Sequence, residues 1–189
     1  ETPAAQQSLA ELGDIHRQIS ALLRDLPRPA APELRRLGLI EALQRTLAGE
    51  FSGSFDRVTW EVDPETTRRA LELPELALEV LYYAAREAIR NAARHARGVG
   101  LPGALNLVVR ARWKGGREIQ VEDNGIGIPN RAAPEPTGGE GLALHSTLMA
   151  VINGSLSVER EAGKFTRLTL FLPDSALELW QQSDPASAA

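Results

Sequence analysis

The sequence predicts an α+β fold, a two-layer α/β sandwich with helices on one face of a mixed sheet, preceded by N-terminal helices. Three observations carry this. Strand-like runs come in pairs joined by short glycine-containing turns, the signal of antiparallel hairpins. Stretches with apolar residues at helical spacing lie before and between those pairs. Apolar residues make up 43% of the 189 residues and charged residues 24%, so a sizeable core can be buried.

The elements follow in order. Residues 8–26, "SLAELGDIHRQISALLRDL", set Leu9, Leu12, Ile15, Ile19, Leu22, Leu23 and Leu26 at helical spacing. "PRPAAP" stops that helix, because a run so rich in proline cannot stay helical. Residues 34–49 form a second amphipathic helix through Leu37, Leu39, Ile40, Leu43 and Leu47. "FSGSFD" is a loop, and "RVTWEV" (57–62) alternates and is rich in β-formers, so it reads as a strand. Residues 73–96 form the longest helix, with Pro74 at its start, where a missing N–H costs little. "GVGLPG" ends it. "ALNLVVRARW" (104–113) and "REIQVED" (117–123) are strands joined by "KGG". A loop rich in glycine and proline covers 124–140. Residues 141–152 are helical, and the following "NG" ends them with a C′ glycine. "SLSVER" and "FTRLTLFLP" form a last hairpin across "EAGK". The tail, 174–189, frays.

Composition excludes several classes. A formal charge of −4 lacks the basic footprint of a general nucleic-acid binder, so no nucleic-acid partner is expected. There is no cysteine, and His16, His95 and His145 are too far apart in sequence for a structural zinc site. No apolar run approaches the ~20 residues of a membrane span. "ETPAAQQS" lacks the charged and apolar regions of a secretory signal. The chain begins with Glu1, so it is expected to be a piece of something longer, cytoplasmic itself, with an anchor in the parent left open.

Three segments carry possible chemistry. In "REAIRNAARHA", Glu87, Asn91 and His95 fall at i, i+4 and i+8 and share one helix face beside Arg86, Arg90, Arg94 and Arg97. A solvated helix surface is the plain alternative. Asn91 argues against it, since asparagine is a poor helix-interior residue and its carboxamide oxygen suits a hard cation. In "VEDNGIGIP", Asn-Gly between apolar runs is a hairpin signal. Asp123, at the strand's end, could equally accept from an exocyclic amine, with Gly125 and Gly127 allowing close backbone approach and Ile126 and Ile128 as apolar walls. In "PTGGEGLAL", Gly138, Gly139 and Gly141 open a helix, a ready phosphate site. Neither the P-loop nor the dinucleotide fingerprint is present.

Taken together, E-x-x-x-N on a helix, D-x-G-x-G after a strand, a glycine-rich entry to a helix and a hairpin with "GKFT" resemble the ATP-binding catalytic domain of sensor histidine kinases. That family shares the Bergerat-type fold with gyrases, heat-shock chaperones and mismatch-repair ATPases. "REAIRNAARHA" looks like its N box, "VEDNGIGIP" like the G1 box and "TGGEGLAL" like the G2 box, and the resemblance covers about residues 55–173. "ELRRLGLIEALQRTL" is similar to the linker of the nitrate- and lipid-sensor-like subgroup. Residues 1–50 would then hold the C-terminal part of the dimerisation and phosphoacceptor domain with its linker helices, 51–173 the catalytic domain and 174–189 a tail.

The resemblance implies transfer of the ATP γ-phosphate to a histidine on a phosphoacceptor domain outside this chain. His16 is followed by Arg17, not by an acid, and reads as an ordinary helix residue. By the match, Glu87 is the catalytic base or polarises the nucleophile, and Asn91 holds Mg²⁺. Arg94 and His95 lie near the phosphates. Asp123 accepts from the adenine amino group; Gly125, Gly127 and Ile128 line the ring. Gly139, Gly141 and Leu142 belong to the phosphate loop, and Thr166 supports the adenine end. Residues 129–140 form a lid. The family's partners would be ATP, the phosphoacceptor domain, a response regulator and a second copy in a homodimer. Thr137 and Glu140 depart from the family's glycine–leucine pattern. Two alternatives remain: an anti-sigma-factor-type serine kinase of the same fold, or a degenerate non-catalytic ATP-binding or dimerisation module.

Overall fold

Strict alternation along the central strands decides which face of the sheet is covered. The computed structural model describes residues 30–69, 73–97, 103–126 and 139–177. The helix expected over 8–26, with His16, lies outside the described residues. Five strands form one sheet: β1 (Arg57–Val62), β2 (Asn106–Trp113), β3 (Gly116–Asp123), β4 (Ser155–Glu161) and β5 (Phe165–Pro173), in the spatial order β1-β2-β3-β5-β4. β1 pairs with β2 in parallel and the other pairings are antiparallel, so the sheet is mixed, as the sequence predicts. Leu107, Val109 and Ala111 on β2, Ile119 and Val121 on β3, and Leu168, Leu170 and Leu172 on β5 point to one face and are buried.

Helices cover that face. They are α1 (Ala30–Leu37), α2 (Leu39–Gly49), α3 (Pro64–Arg69), α4 (Glu75–His95) and α5 (Gly139–Val151). α4 packs on β3 and β5, α5 packs on α4 and β4, and α2 packs on α4. Leu81 and Ile89 of α4 are fully buried, each contributing about 1.5–3 kcal/mol of apolar transfer free energy. Leu34, Leu43 and Leu47 belong to the same apolar cluster as α4, so one core runs through residue 50, the expected domain boundary. Ala176 is buried in that cluster too, so the first turn past β5 is part of the fold. No helix among the described residues is long and apolar enough to cross a membrane.

The face on which no described helix packs is held by charge. Arg112 and Arg110 of β2 donate to Glu61 of β1, Arg110 and Arg167 donate to Glu122 of β3, and Arg167 donates to Glu159 of β4. The ladder crosses all five strands, and Glu122 holds its carboxyl below the usual range because hydrogen bonds from Arg167 and Arg110 overcome the effect of burial. Single exposed pairs contribute little, but a connected network fixes strand register where no described helix packs.

Three local features differ from expectation. The helix expected over 34–49 is two helices, α1 and α2, broken at Gly38, whose φ of 77° is left-handed. α1 begins at Ala30, because Pro32 falls in its first turn, where no intrahelical N–H bond is lost. α3 was not expected; Asp63 caps it by accepting from the Glu65 N–H at 3.0 Å, with Pro64 next. At the end of α5 the left-handed residue is Asn153 (φ 56°), not Gly154. Gly154 is needed for space: a Cβ there would stand 2.7 Å from Met149 and 2.9 Å from the Phe171 carbonyl oxygen.

Candidate functional site

The turn after β3 is pinned on three sides. The Asn124 carboxamide oxygen accepts from the Asn106 N–H at 2.6 Å, and its amide donates to the Ala104 carbonyl at 3.0 Å, closing the turn onto the start of β2. The Ile126 N–H donates to the Ala96 carbonyl at 3.0 Å, just past the end of α4, and the Ile126 carbonyl accepts from Gly163 at 2.9 Å, in the β4–β5 turn. At the entry to β1, Asp56 accepts from the Leu105 N–H at 2.6 Å and from Arg97 at 2.8 Å, fixing the end of α4 beside β2. The "DNG" stretch is thus a turn, and a rigid one.

The close approach expected at Gly125 is to the protein's own helix. A Cβ there would lie 2.5–2.6 Å from Ala96 backbone and Cβ atoms. Backbone cannot yield cheaply, so Gly125→Ala is expected to cost about 1–3 kcal/mol. Thermal unfolding would register a fall of about 2–12 °C; an unchanged midpoint would contradict the packing.

Asp123 is buried at the end of β3, and its register partner on β5 is Thr166. Oδ1 accepts from the Gly125 N–H at 3.0 Å, while Oδ2 takes no side-chain donor among the described residues. Burial pushes the Asp123 carboxyl above its ordinary 3.8; the Gly125 bond works against that and the charge of Glu122 adds to it. A buried carboxylate whose charge backbone hydrogen bonds meet only in part has reason to meet a further donor.

Glu87 is buried on α4 and ion-paired with Arg90. Its Oε1 would stand 2.9 Å from a Cβ at Gly141, in the first turn of α5. Asn91, one turn after Glu87, is half-buried, and no described residue hydrogen-bonds its carboxamide. Arg94 and His95 are exposed in the last turn of α4, and Leu142 packs against the core. Gly139 begins α5. Gly127 and Ile128 lie outside the described residues. α4 is therefore the common wall: its Glu87 end touches α5 and its Ala96 end touches the turn carrying Asp123, with Asn91 between. The sequence reading missed His145, which is buried on α5 within the fields of Glu87 and Arg90; a histidine among apolar neighbours gave no signal beyond its type.

Residues 78–176, just over half of the chain, match the family described as histidine kinase-, DNA gyrase B-, and HSP90-like ATPase. The sensor protein NarQ homolog of Haemophilus influenzae is 34% identical over 88 residues, 47% of this chain and 14% of that protein. The blue-light activated histidine kinase EL346 of Erythrobacter litoralis superposes with a TM-score of 0.59 at 21% identity, over 82% of this chain and 46% of that one. Its histidine kinase domain gives 0.57 at 20% identity, over 72% of this chain and 63% of that one. The chain thus spans 14% of the curated relative and less than two thirds of either structural neighbour. On the family match over residues 78–176, the chain belongs to the histidine kinase-, DNA gyrase B- and HSP90-like ATPases.

Proposed function

We propose that this chain binds Mg-ATP along α4 and passes its γ-phosphoryl group to a histidine supplied by a phosphoacceptor domain. The observation that carries the reading is the spacing on α4. Glu87, beside the first turn of α5, and Ala96, against the Asp123 turn, are separated by about 13 Å of helix. That span suits a purine at one end and a triphosphate at the other, with Asn91 between.

Asp123 Oδ2 accepts from the adenine amino group, with Thr166 opposite, and this selects adenine over guanine. Backbone N–H groups at the start of α5, with Gly139 and Gly141, face the phosphates, and Arg94 and His95 add positive charge. Asn91 fits a magnesium ion: a neutral oxygen donor, half-buried, with no described protein partner. When bound, that ion supplies charge neutralisation across the phosphate oxygens. Glu87 accepts a hydrogen bond from the N–H of the attacking imidazole and orients its other nitrogen toward phosphorus; the N–P bond forms as the bond from the γ-phosphorus to the bridging oxygen breaks and ADP leaves. The family's wider assembly, a homodimer that hands the phosphoryl group to a response regulator, is part of the proposal.

A fluorescent ATP analogue titrated with and without Mg²⁺ tests the reading; binding that is absent, or indifferent to Mg²⁺, would overturn it. Gly141→Ala should displace the Glu87 carboxylate, because the new Cβ takes its place. Phosphoryl transfer to an added phosphoacceptor domain should fall about 10–100-fold, the scale of a slightly misplaced group. The unfolding midpoint should hold or rise, since alanine favours the helix over glycine. Full transfer activity would separate Glu87 from the chemistry.

A further inference from the structure

The arginines beside the Glu87 stripe have different partners. Arg86 donates to Glu50, just past α2, at 2.9 and 2.8 Å. Arg97 donates to Asp56 at 2.8 Å. Arg94 is exposed in the last turn of α4. Arg90 turns back along the helix and is ion-paired with Glu87 through Nη2 and Oε2. Its Nε is shut off from solvent and has no hydrogen-bond partner among the described residues. A buried donor without a partner costs about 1–3 kcal/mol, which a side chain this long could avoid by reaching into water. The pairing with Glu87 is the printed contact that keeps it back. Glu87 is 8% exposed and pairs with no other cation among the described residues. While Oε2 meets Arg90, Oε1 faces the first turn of α5, over Gly141.

We propose that Arg90 is a positioning residue for Glu87: its guanidinium holds one carboxylate oxygen and offsets the charge that would otherwise repel the terminal phosphate. This rests on the reading of Glu87 given above and deepens it. That reading brings a carboxylate and a triphosphate together at the first turn of α5. Two anions side by side where water screens them poorly repel each other strongly. One guanidinium on Oε2 cancels the carboxylate's charge and leaves Oε1 to the imidazole. Arg94 and His95, about a turn further along α4, are left to the phosphates.

Mg-ATP titrated calorimetrically into the whole chain and its variants tests this. Arg90→Gln should weaken binding about 10–100-fold, the scale of one close like charge left uncompensated. Adding Glu87→Gln to that variant should return the affinity to near the wild-type value, because the repelling charge is gone. Unchanged affinity in Arg90→Gln would overturn the proposal. So would a double variant as weak as Arg90→Gln, the result expected if Arg90 touched the phosphate itself or only held the fold. Nuclear magnetic resonance without nucleotide gives an independent arm. In the wild type the Arg90 Nε–H should exchange with water more slowly than that of Arg94, and its resonance should move in Glu87→Gln. Equal exchange rates, or an Arg90 resonance indifferent to Glu87→Gln, would overturn the positioning even if a variant at Arg90 fails to fold. A wild type that binds no Mg-ATP would instead fail the functional reading, whatever the Arg90 resonances show.

Discussion

Asn91→Ala is expected to abolish Mg-dependent ATP binding while the protein stays folded. Asparagine in the interior of a helix is unfavourable, because its side chain competes for backbone hydrogen bonds. No described residue hydrogen-bonds this one, so its removal breaks no hydrogen bond among the described residues. Alanine should therefore hold stability or raise it by a few tenths of a kcal/mol. The loss falls on the ligand. Removing supporting groups around a bound metal already costs about 10–100-fold, and removing a direct oxygen donor should reach at least the upper figure. Calorimetry should show ATP binding in the variant at the level the wild type shows without Mg²⁺. Unchanged affinity for Mg-ATP would remove Asn91 from the site.

Asp123→Asn should move stability and affinity in opposite directions. The folded protein raises this carboxyl above 3.8, mainly by burial. A group raised in the folded state contributes stability that is fully present below its unfolded value and is lost as pH climbs through the folded one. At pH 7 the ionised Asp123 is thus a liability to the ligand-free fold. Asparagine retains an oxygen for the Gly125 N–H and carries no charge, so the ligand-free variant should melt at or above the wild-type temperature at pH 7, with the difference vanishing near pH 4. Affinity for ATP should fall about 10–100-fold, the range of a hydrogen bond to a charged acceptor. The wild type should prefer ATP to GTP. Equal affinity for the two, or a variant less stable than wild type at pH 7, would contradict Asp123 as the adenine reader.

What the sequence revealed and what it hid follow from the range of the forces involved. The helical stripe of Glu87, Asn91 and His95 and the alternation in β2, β3 and β5 are local periodicities, and both survive into the structure. The two hairpins were legible from their glycine turns; Gly115 and Gly163 are left-handed, with φ of 67° and 73°. The pairing of β3 with β5, which sets Thr166 opposite Asp123, joins distant segments and has no local signature. The break at Gly38 was masked because Leu34, Leu37, Leu39 and Leu43 keep an apolar rhythm across it. α3 carries an Asp-Pro-Glu start signal but is too short to show a period. Gly125 was legible as a required glycine, yet Ala96, the atoms it makes room for, lies on another element. His145 and Arg90 gain their interest only when α5 is laid against α4.

The most direct measurement is a crystal structure of this chain with Mg²⁺ and a non-hydrolysable ATP analogue. The account predicts the adenine amino group on Asp123 Oδ2, the metal on the Asn91 carboxamide, and the terminal phosphate between Glu87 and the first turn of α5. A nucleotide lying elsewhere, or one that leaves Asp123 and Asn91 on opposite sides of the protein from it, would contradict it.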